Sequence, residues 1–285
     1  MTNAVLNKRK DHLFNFWGIL STLIGLILLA LFIGYIITEG YSRLDWDFIT
    51  GLPSRRANKT GIYTALLGSL WVLFLTTLIA IPIGVGAGIY LEEYNKKNWW
   101  SNVLEVNIAN LAGVPSIVYG LLGLEVFGRI FGFGGSLLTG SLTLSLLVLP
   151  IVIVSTRESI KAVPNSIKDA SMAMGATKWQ TIWNQVLPSS IGGILTGVIL
   201  AISRAIGETA PLIVIGALVY VPFAPKTPMD DFSVLPIQIY NWVSRPQKEF
   251  IVNAAAAIII LLLVTFLMNA IAVYFRNKWQ KKIKW

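Results

Sequence analysis

The sequence predicts an all-α integral membrane protein with six transmembrane helices and both termini on the cytoplasmic side. Three observations carry this expectation. Hydrophobic residues make up 55 % of the 285-residue chain and charged residues 13 %, whereas a soluble domain carries about 25 % charged residues. Six apolar stretches, Phe14 to Ile37, Ile62 to Tyr90, Val103 to Phe127, Leu137 to Thr156, Ile191 to Val221 and Ile251 to Phe275, are each long enough to cross about 30 Å of hydrocarbon as a helix. None alternates as a membrane β-strand would. Finally, 14 Lys and Arg fall in the segments that six spans leave inside, eight in those left outside, and one, Arg204, within a span. Positive residues favour the cytoplasmic side, which places both ends of the chain there.

The net charge of +9 is therefore topological. It suits lipid headgroups and gives no indication of nucleic acid. With no cysteine there is no disulfide or thiolate metal site, and the lone His12 sits in the charged amino-terminal tail. No catalytic or metal-ligating constellation is present.

Taken in order, residues 1–60 form an amino-terminal tail, the first span and an external loop. The first apolar stretch follows Lys8, Arg9 and Lys10 as a signal peptide would, but its 24 residues exceed an ordinary signal core and no small-residue cleavage site follows. It is expected to stay as a span. Residues 61–275 hold the other five spans, and residues 276–285 form a basic cytoplasmic tail.

In the second span, Gly84, Gly86 and Gly88 lack the preceding strand and spacing of a dinucleotide loop, so they read as helix packing. Gly84 with Gly88, and Gly193 with Gly197 in the fifth span, are small-xxx-small pairs that let backbones approach. In the third, Pro115 removes a backbone donor and should kink the helix. Glu105 and Glu125 lie near opposite ends of that stretch, within reach of interfacial water. The external segment before the last span carries Pro222, Pro225, Pro228, Pro236 and Pro246 with Asp230, Asp231, Trp242 and Arg245. Proline should stiffen it into extended turns, either as a surface for a partner protein or as an inert cap.

The fifth stretch holds the most informative pair. Arg204 and Glu208 are four residues apart in otherwise uncharged sequence, a spacing that puts both on one helical face. An ionised side chain at a helix centre in hydrocarbon costs at least ~2.5 kcal/mol, so it faces either a partner or a polar path. A self-neutralising structural pair and a solute path are both consistent with the spacing.

Between the fourth and fifth spans, residues 159–188 form the longest internal polar segment. A first helix should end at Gly175. Thr177 with Gln180 three residues later is a capping-box pattern, and should open a second helix ending at Pro188. Such a helix pair makes a knob on the cytoplasmic face; an amphipathic helix lying on lipid is the alternative.

Within this segment, Asp169-Ala170-Ser171, Gly175 and Val186-Leu187-Pro188 resemble the loop of binding-protein-dependent ABC permeases, whose pattern is Glu-Ala-Ala, Gly, then a hydrophobic residue and Leu-Pro. Ile89-Tyr90-Leu91-Glu92-Glu93-Tyr94, Val114-Pro115-Ser116-Ile117-Val118-Tyr119-Gly120-Leu121 and Arg204-Ala205-Ile206-Gly207-Glu208-Thr209-Ala210-Pro211 narrow the similarity to phosphate permeases of the PstA type. The resemblance covers residues from about Gly61 to Phe275. The chain departs from the loop pattern at Asp169 and Ser171, and Asp keeps the charge on a shorter stem.

The resemblance implies a type I ABC importer permease (MetI-like) fold in a bacterial or archaeal plasma membrane. It also implies a coupling helix that docks on a separate ATPase through Asp169, Ala170, Ser171, Gly175, Leu187 and Pro188. The implied partners are a second homologous permease (PstC type), an ATP-binding subunit dimer (PstB type) carrying ATP and Mg, and an extracytoplasmic phosphate-binding protein (PstS type). The chain has no Gly-Lys dipeptide, hence no phosphate-cradling P-loop of its own, and is expected to be a transport subunit and not an enzyme.

For the path, Arg204 supplies a permanent charge and a fork of donors suited to phosphate oxygens. Glu208 can accept a hydrogen bond from a protonated phosphate oxygen, which sulfate at neutral pH does not offer. Arg157 is a second candidate basic station. A permease for another oxyanion (molybdate, sulfate or phosphonate) and an ion-coupled secondary carrier with charges on broken helices are the competing readings.

Overall fold

In the computed structural model, which describes residues 2–95, 98–217 and 220–280, the apolar stretches are helical because hydrocarbon leaves backbone N–H and C=O groups no partner but each other. Helix α1 (Thr2–Gly40) leads into an external segment where Asp45 caps the short α2 (Trp46–Thr50) by accepting from the Phe48 N–H at 2.6 Å. Helix α3 (Tyr63–Ile89) runs inward and continues as a π-helical turn, Tyr90–Tyr94. Helices α4 (Trp99–Leu111) and α5 (Ser116–Gly123) follow, the latter extended by a second π-helical turn, Leu124–Ile130. Ser136 caps α6 (Leu137–Lys161). The cytoplasmic segment forms α7 (Asn165–Ala173) and α8 (Lys178–Thr181), then α9 (Leu187–Gly207) and α10 (Ala210–Ile215) return outward. Helix α11 (Leu235–Val243) lies in the external segment, and α12 (Glu249–Gln280) is the last helix among the described residues. No strand occurs among the described residues beyond an isolated bridge between Ser136 and Asp231. Lys96, Lys97 and residues 281–285, which entered the charge count above, lie outside the described residues.

Among the described residues, five helices are long and apolar enough to cross a membrane, and the α4–α5 pair makes six if counted as one broken span. The stretch Val103 to Phe127 is thus not one continuous helix: α4 and α5 meet at 105°, far beyond a kink. Pro115 has no N–H for the Leu111 carbonyl and its ring would clash with it in a continuous helix. The chain instead breaks over Ala112–Pro115, and the Tyr119 hydroxyl donates to the Leu111 carbonyl at 2.8 Å.

The fifth stretch is also broken. Pro211 stands in the same relation to Gly207, and α9 ends there, leaving Glu208 extended at ψ 121°. Pro188 behaves oppositely. The expected helix end at Pro188 is not found, because a π-helical turn over Ile182–Val186 widens the ladder, with the Leu187 N–H bonded to the Ile182 carbonyl, and the helix carries through into α9. Two local expectations for the cytoplasmic segment hold: Gly175 turns at φ +89° and Thr177 with Gln180 forms a complete capping box.

Helix α6 is the most buried span, 61 % against 6 % for α1, because glycines bring two helices onto it. Gly84 and Gly88 of α3 seat on Val152 and Thr156; Gly193 and Gly197 of α9 seat on Ser159 and Ser155. Helix α1 lies along α12, with Gly40 against Ala255 and Ala256.

The external segment contains more than proline-stiffened turns. Pro236 opens α11, whose Trp242 is fully buried against Phe48 with ring centroids 5.8 Å apart. Phe232, Val234 and Ile237 pack on Leu137, Leu144 and Leu212, so this segment seals the outer end of the bundle. Asp230 holds the adjoining turn by accepting from the Thr227 hydroxyl and from the Thr227 and Lys226 N–H groups. Those bonds keep its carboxyl below the ordinary range.

Replacing Gly197 by Val forces a side chain into Ser155 and should cost ~1–3 kcal/mol by overpacking. At Gly86 an added Cβ would meet nothing within 4 Å, so Ala there should leave stability equal or higher. Thermal unfolding in detergent checks both; equal destabilisation by the two substitutions would contradict this packing.

Candidate functional site

The glycine contacts fix depth as well as distance. Gly193 on Ser159 and Gly197 on Ser155 define antiparallel steps between α9 and α6. Continuing them sets Arg204 level with Val148, midway along α6. In the same way Gly123 of α5 seats on Thr143, which brings Ser116 level with Pro150, and Tyr119 shares an apolar cluster with Leu147, Val148, Ala201 and Ala205. The two helix breaks and the arginine therefore meet at one depth, near the middle of the bundle. Gly120 against Pro211 packs α5 directly on α10.

At this level Arg204 Nε donates to Glu208 Oε1 at 3.2 Å. The pair survives although Glu208 lies beyond the end of α9, so the expected single helical face is a contact across a helix terminus. Arg204 is 41 % exposed and Glu208 18 %. Only Nε is engaged among the described residues, leaving the two terminal amino groups of the guanidinium available. Tyr119 lies within electrostatic reach of Arg204, and the first N–H groups of α5 have no helical carbonyl to meet. A residue that sequence reasoning left without a role, Tyr119, thus holds the end of α4 while facing the charged level. Its signal lay in Pro115, which frees the carbonyl that the phenol satisfies.

Arg157 is placed elsewhere. It sits nine residues along α6 from Val148, ~13 Å toward the cytoplasm, and contacts Glu92 at 3.5 Å and Glu105 at 3.0 Å. These groups line a polar cavity of about 730 Å³ with Asn95, Asn98 and Asn102. Its charge is shared between two carboxylates, neither of which sequence spacing revealed. Glu125 pairs with Arg129 at 2.8 Å on an exposed surface.

On the cytoplasmic side, Asp169 and Ala170 are exposed on α7, while Ser171 turns inward to Thr181 at 3.0 Å. Met172, Met174, Trp179 and Trp183 are exposed beside them, the two indoles stacked at 5.6 Å. Leu187 and Pro188 form the entry to α9.

Residues 80–281 match the model of a family described as the binding-protein-dependent transport system inner membrane component. The chain belongs to this family. It is 34 % identical over 284 residues to a probable ABC transporter permease, YqgI, of Bacillus subtilis, covering 95 % of each chain. It is 33 % identical to the phosphate transport system permease PstA of Haemophilus influenzae, covering 95 % of this chain and 96 % of that one. The PstA of Mycobacterium leprae is 32 % identical, with 96 % and 90 % covered. Among solved structures, an alginate ABC transporter superposes with TM-score 0.67 at 13 % identity, covering 92 % and 96 %. The inward-facing methionine transporter MetNI superposes with TM-score 0.61 at 16 % identity, covering 76 % and 97 %. The fold is that of ABC importer permeases, and the chain is a multi-pass transport subunit and not an enzyme.

The Leu111 carbonyl also accepts from the Val114 N–H at 3.2 Å, so replacing Tyr119 by Phe removes one of its two donors and should cost ~0.5–1.5 kcal/mol, the net contribution of one hydrogen bond. Unfolding in detergent checks this; unchanged stability would show that the phenol does not help to hold the end of α4.

Proposed function

We propose that this chain is one permease half of an ATP-driven importer of inorganic phosphate in a bacterial inner membrane. The observation that carries the proposal is the Arg204–Glu208 pair at mid-depth between two broken helices, in a chain whose relatives include phosphate permeases over nearly their full length. Broken helices at the midplane are where transporters place polar groups for a solute, since irregular backbone is tolerated there only along a cavity or within protein.

The chemistry follows from the free donors. Arg204 attracts the anion through its two terminal amino groups, while its bond to Glu208 offsets the cost of holding a charge in hydrocarbon. Glu208 keeps one carboxylate oxygen free to accept from a protonated phosphate oxygen, and it repels an anion that brings no proton. Arg157, shared between Glu92 and Glu105, marks the cytoplasmic end of this route. The exposed side of Arg204 is the side that a second, homologous permease of the PstC type closes, giving a heterodimeric path.

The α7–α8 hairpin is the coupling element. Its exposed Asp169, Ala170, Met172 and Trp179 dock on an ATP-binding subunit of the PstB type, which carries ATP and Mg. A phosphate-binding protein of the PstS type delivers the solute to the outer face.

Labelled phosphate uptake in cells expressing the chain with its partners, at equal membrane abundance, should fall at least about tenfold in Arg204→Ala, equivalent to ~1.4 kcal/mol of lost transition-state stabilisation. Unchanged uptake would return Arg204 to a structural role. In Glu208→Gln, sulfate should begin to compete with phosphate. Continued rejection of sulfate with normal phosphate uptake would contradict selection by the carboxylate.

A further inference from the structure

The contacts that fasten the cytoplasmic hairpin to α3 take no part in the path described above. Glu93, in the π-helical turn that extends α3, accepts from Lys168 of α7 at 2.5 Å, and both side chains are largely covered, 10 % and 16 % exposed. The backbone carbonyl of Glu93 accepts from Lys178 of α8, whose ammonium also lies 5.0 Å from the centre of the Tyr94 ring. One residue earlier, Glu92 turns to Arg157 of α6. A single turn thus holds α6 with one carboxylate and both helices of the hairpin with the next residue.

Behind these polar contacts, Ile160, Val163 and Val186 pack with Ile89 and Ile167. Apolar surfaces of that kind attract without direction and can slide. A covered ion pair fixes a distance, because separating it leaves a charge without its partner in a poorly solvated place. Lys168 and Lys178 stand on either side of the Gly175 turn, and the Ser171–Thr181 bond closes the hairpin between them. The hairpin is therefore anchored at two points to the end of one span.

We infer that Glu93, acting through Lys168 and Lys178, is the positioning residue that converts displacement of the α7–α8 hairpin into displacement of α3. Helix α3 carries Gly84 and Gly88 onto α6, so movement at Glu93 is delivered to the helix on which the Arg204 level is built. The inference rests on the reading that a separate ATPase docks on this hairpin.

The chain contains no cysteine, so Glu93→Cys with Lys168→Cys supplies its only thiols. The complete transporter, its other subunits made cysteine-free, is reconstituted in lipid vesicles, and phosphate imported per ATP hydrolysed is measured. Glu93→Gln and Lys168→Met should each lower that ratio about tenfold, within the usual range of coupling between sites, while ATP hydrolysis and subunit assembly persist. The double cysteine should show the same loss, recover when bridged by a short reducible bis-thiosulfonate linker, and lose coupling again on reduction.

A wild-type ratio in the unbridged double cysteine would overturn the inference. So would a bridge that arrests transport, which would mean that the pair must separate, or a proportional fall in uptake and hydrolysis that leaves the ratio unchanged. Absence of ATP-driven uptake in the wild-type vesicles would refute the functional reading itself, so the two failures are distinguishable.

Discussion

Hydrocarbon gives helices no hydrophobic reason to associate, so the bundle depends on how closely α3 and α9 approach α6. Gly84, Gly88, Gly193 and Gly197 permit that approach, and Val152, Ser155, Thr156 and Ser159 receive it. Close seating fixes register, since a helix held at two points one turn apart cannot slide by a residue without overlap. The register places Arg204 midway along α6, the level to which Gly123 seated on Thr143 brings the α4–α5 break. Depth of the charged site is thus a consequence of backbone packing some distance from the charge.

The prolines show a second constraint. Each one inside a helical stretch frees the carbonyl four residues earlier, and the structure differs in how it satisfies that group. Leu111 receives the Tyr119 hydroxyl and the chain turns by 105°. Ahead of Pro188, a π-helical turn absorbs the mismatch and the helix continues into the membrane. At Pro211 the helix ends at Gly207 and Glu208 is released to face Arg204. The same residue type therefore yields a break, a continuation and a terminus, according to what neighbours supply.

Local features were legible in the sequence for this reason. The capping box at Thr177 and Gln180, the turn at Gly175 and the small-residue pairs are each written within a few residues, and the structure contains all of them. The continuation through Pro188 was not legible, because a π-helical turn leaves no distinct periodicity over five residues. Helix α11 was hidden by prolines that also suit extended loops, although Pro236 occupies a first-turn position where its missing N–H is harmless. Of the site, the Arg204–Glu208 pair was readable from spacing alone. The bonds of Arg157 to Glu92 and Glu105, and of Glu93 to Lys168, join residues more than fifty positions apart, and no local pattern encodes them.

A solute path through this bundle requires that water and phosphate reach the Arg204 level at its middle. Gly207 offers open space for a side chain one turn beyond Arg204, and the chain has no other thiol. The requirement is tested by the rate at which a membrane-impermeant thiol reagent modifies Gly207→Cys in the assembled transporter, with and without phosphate, compared with Leu29→Cys on the exposed α1. Modification is expected at position 207, slowed by phosphate and not by sulfate, with none at position 29. An unreactive thiol at 207, or one whose rate ignores phosphate, would contradict a solute path at this level.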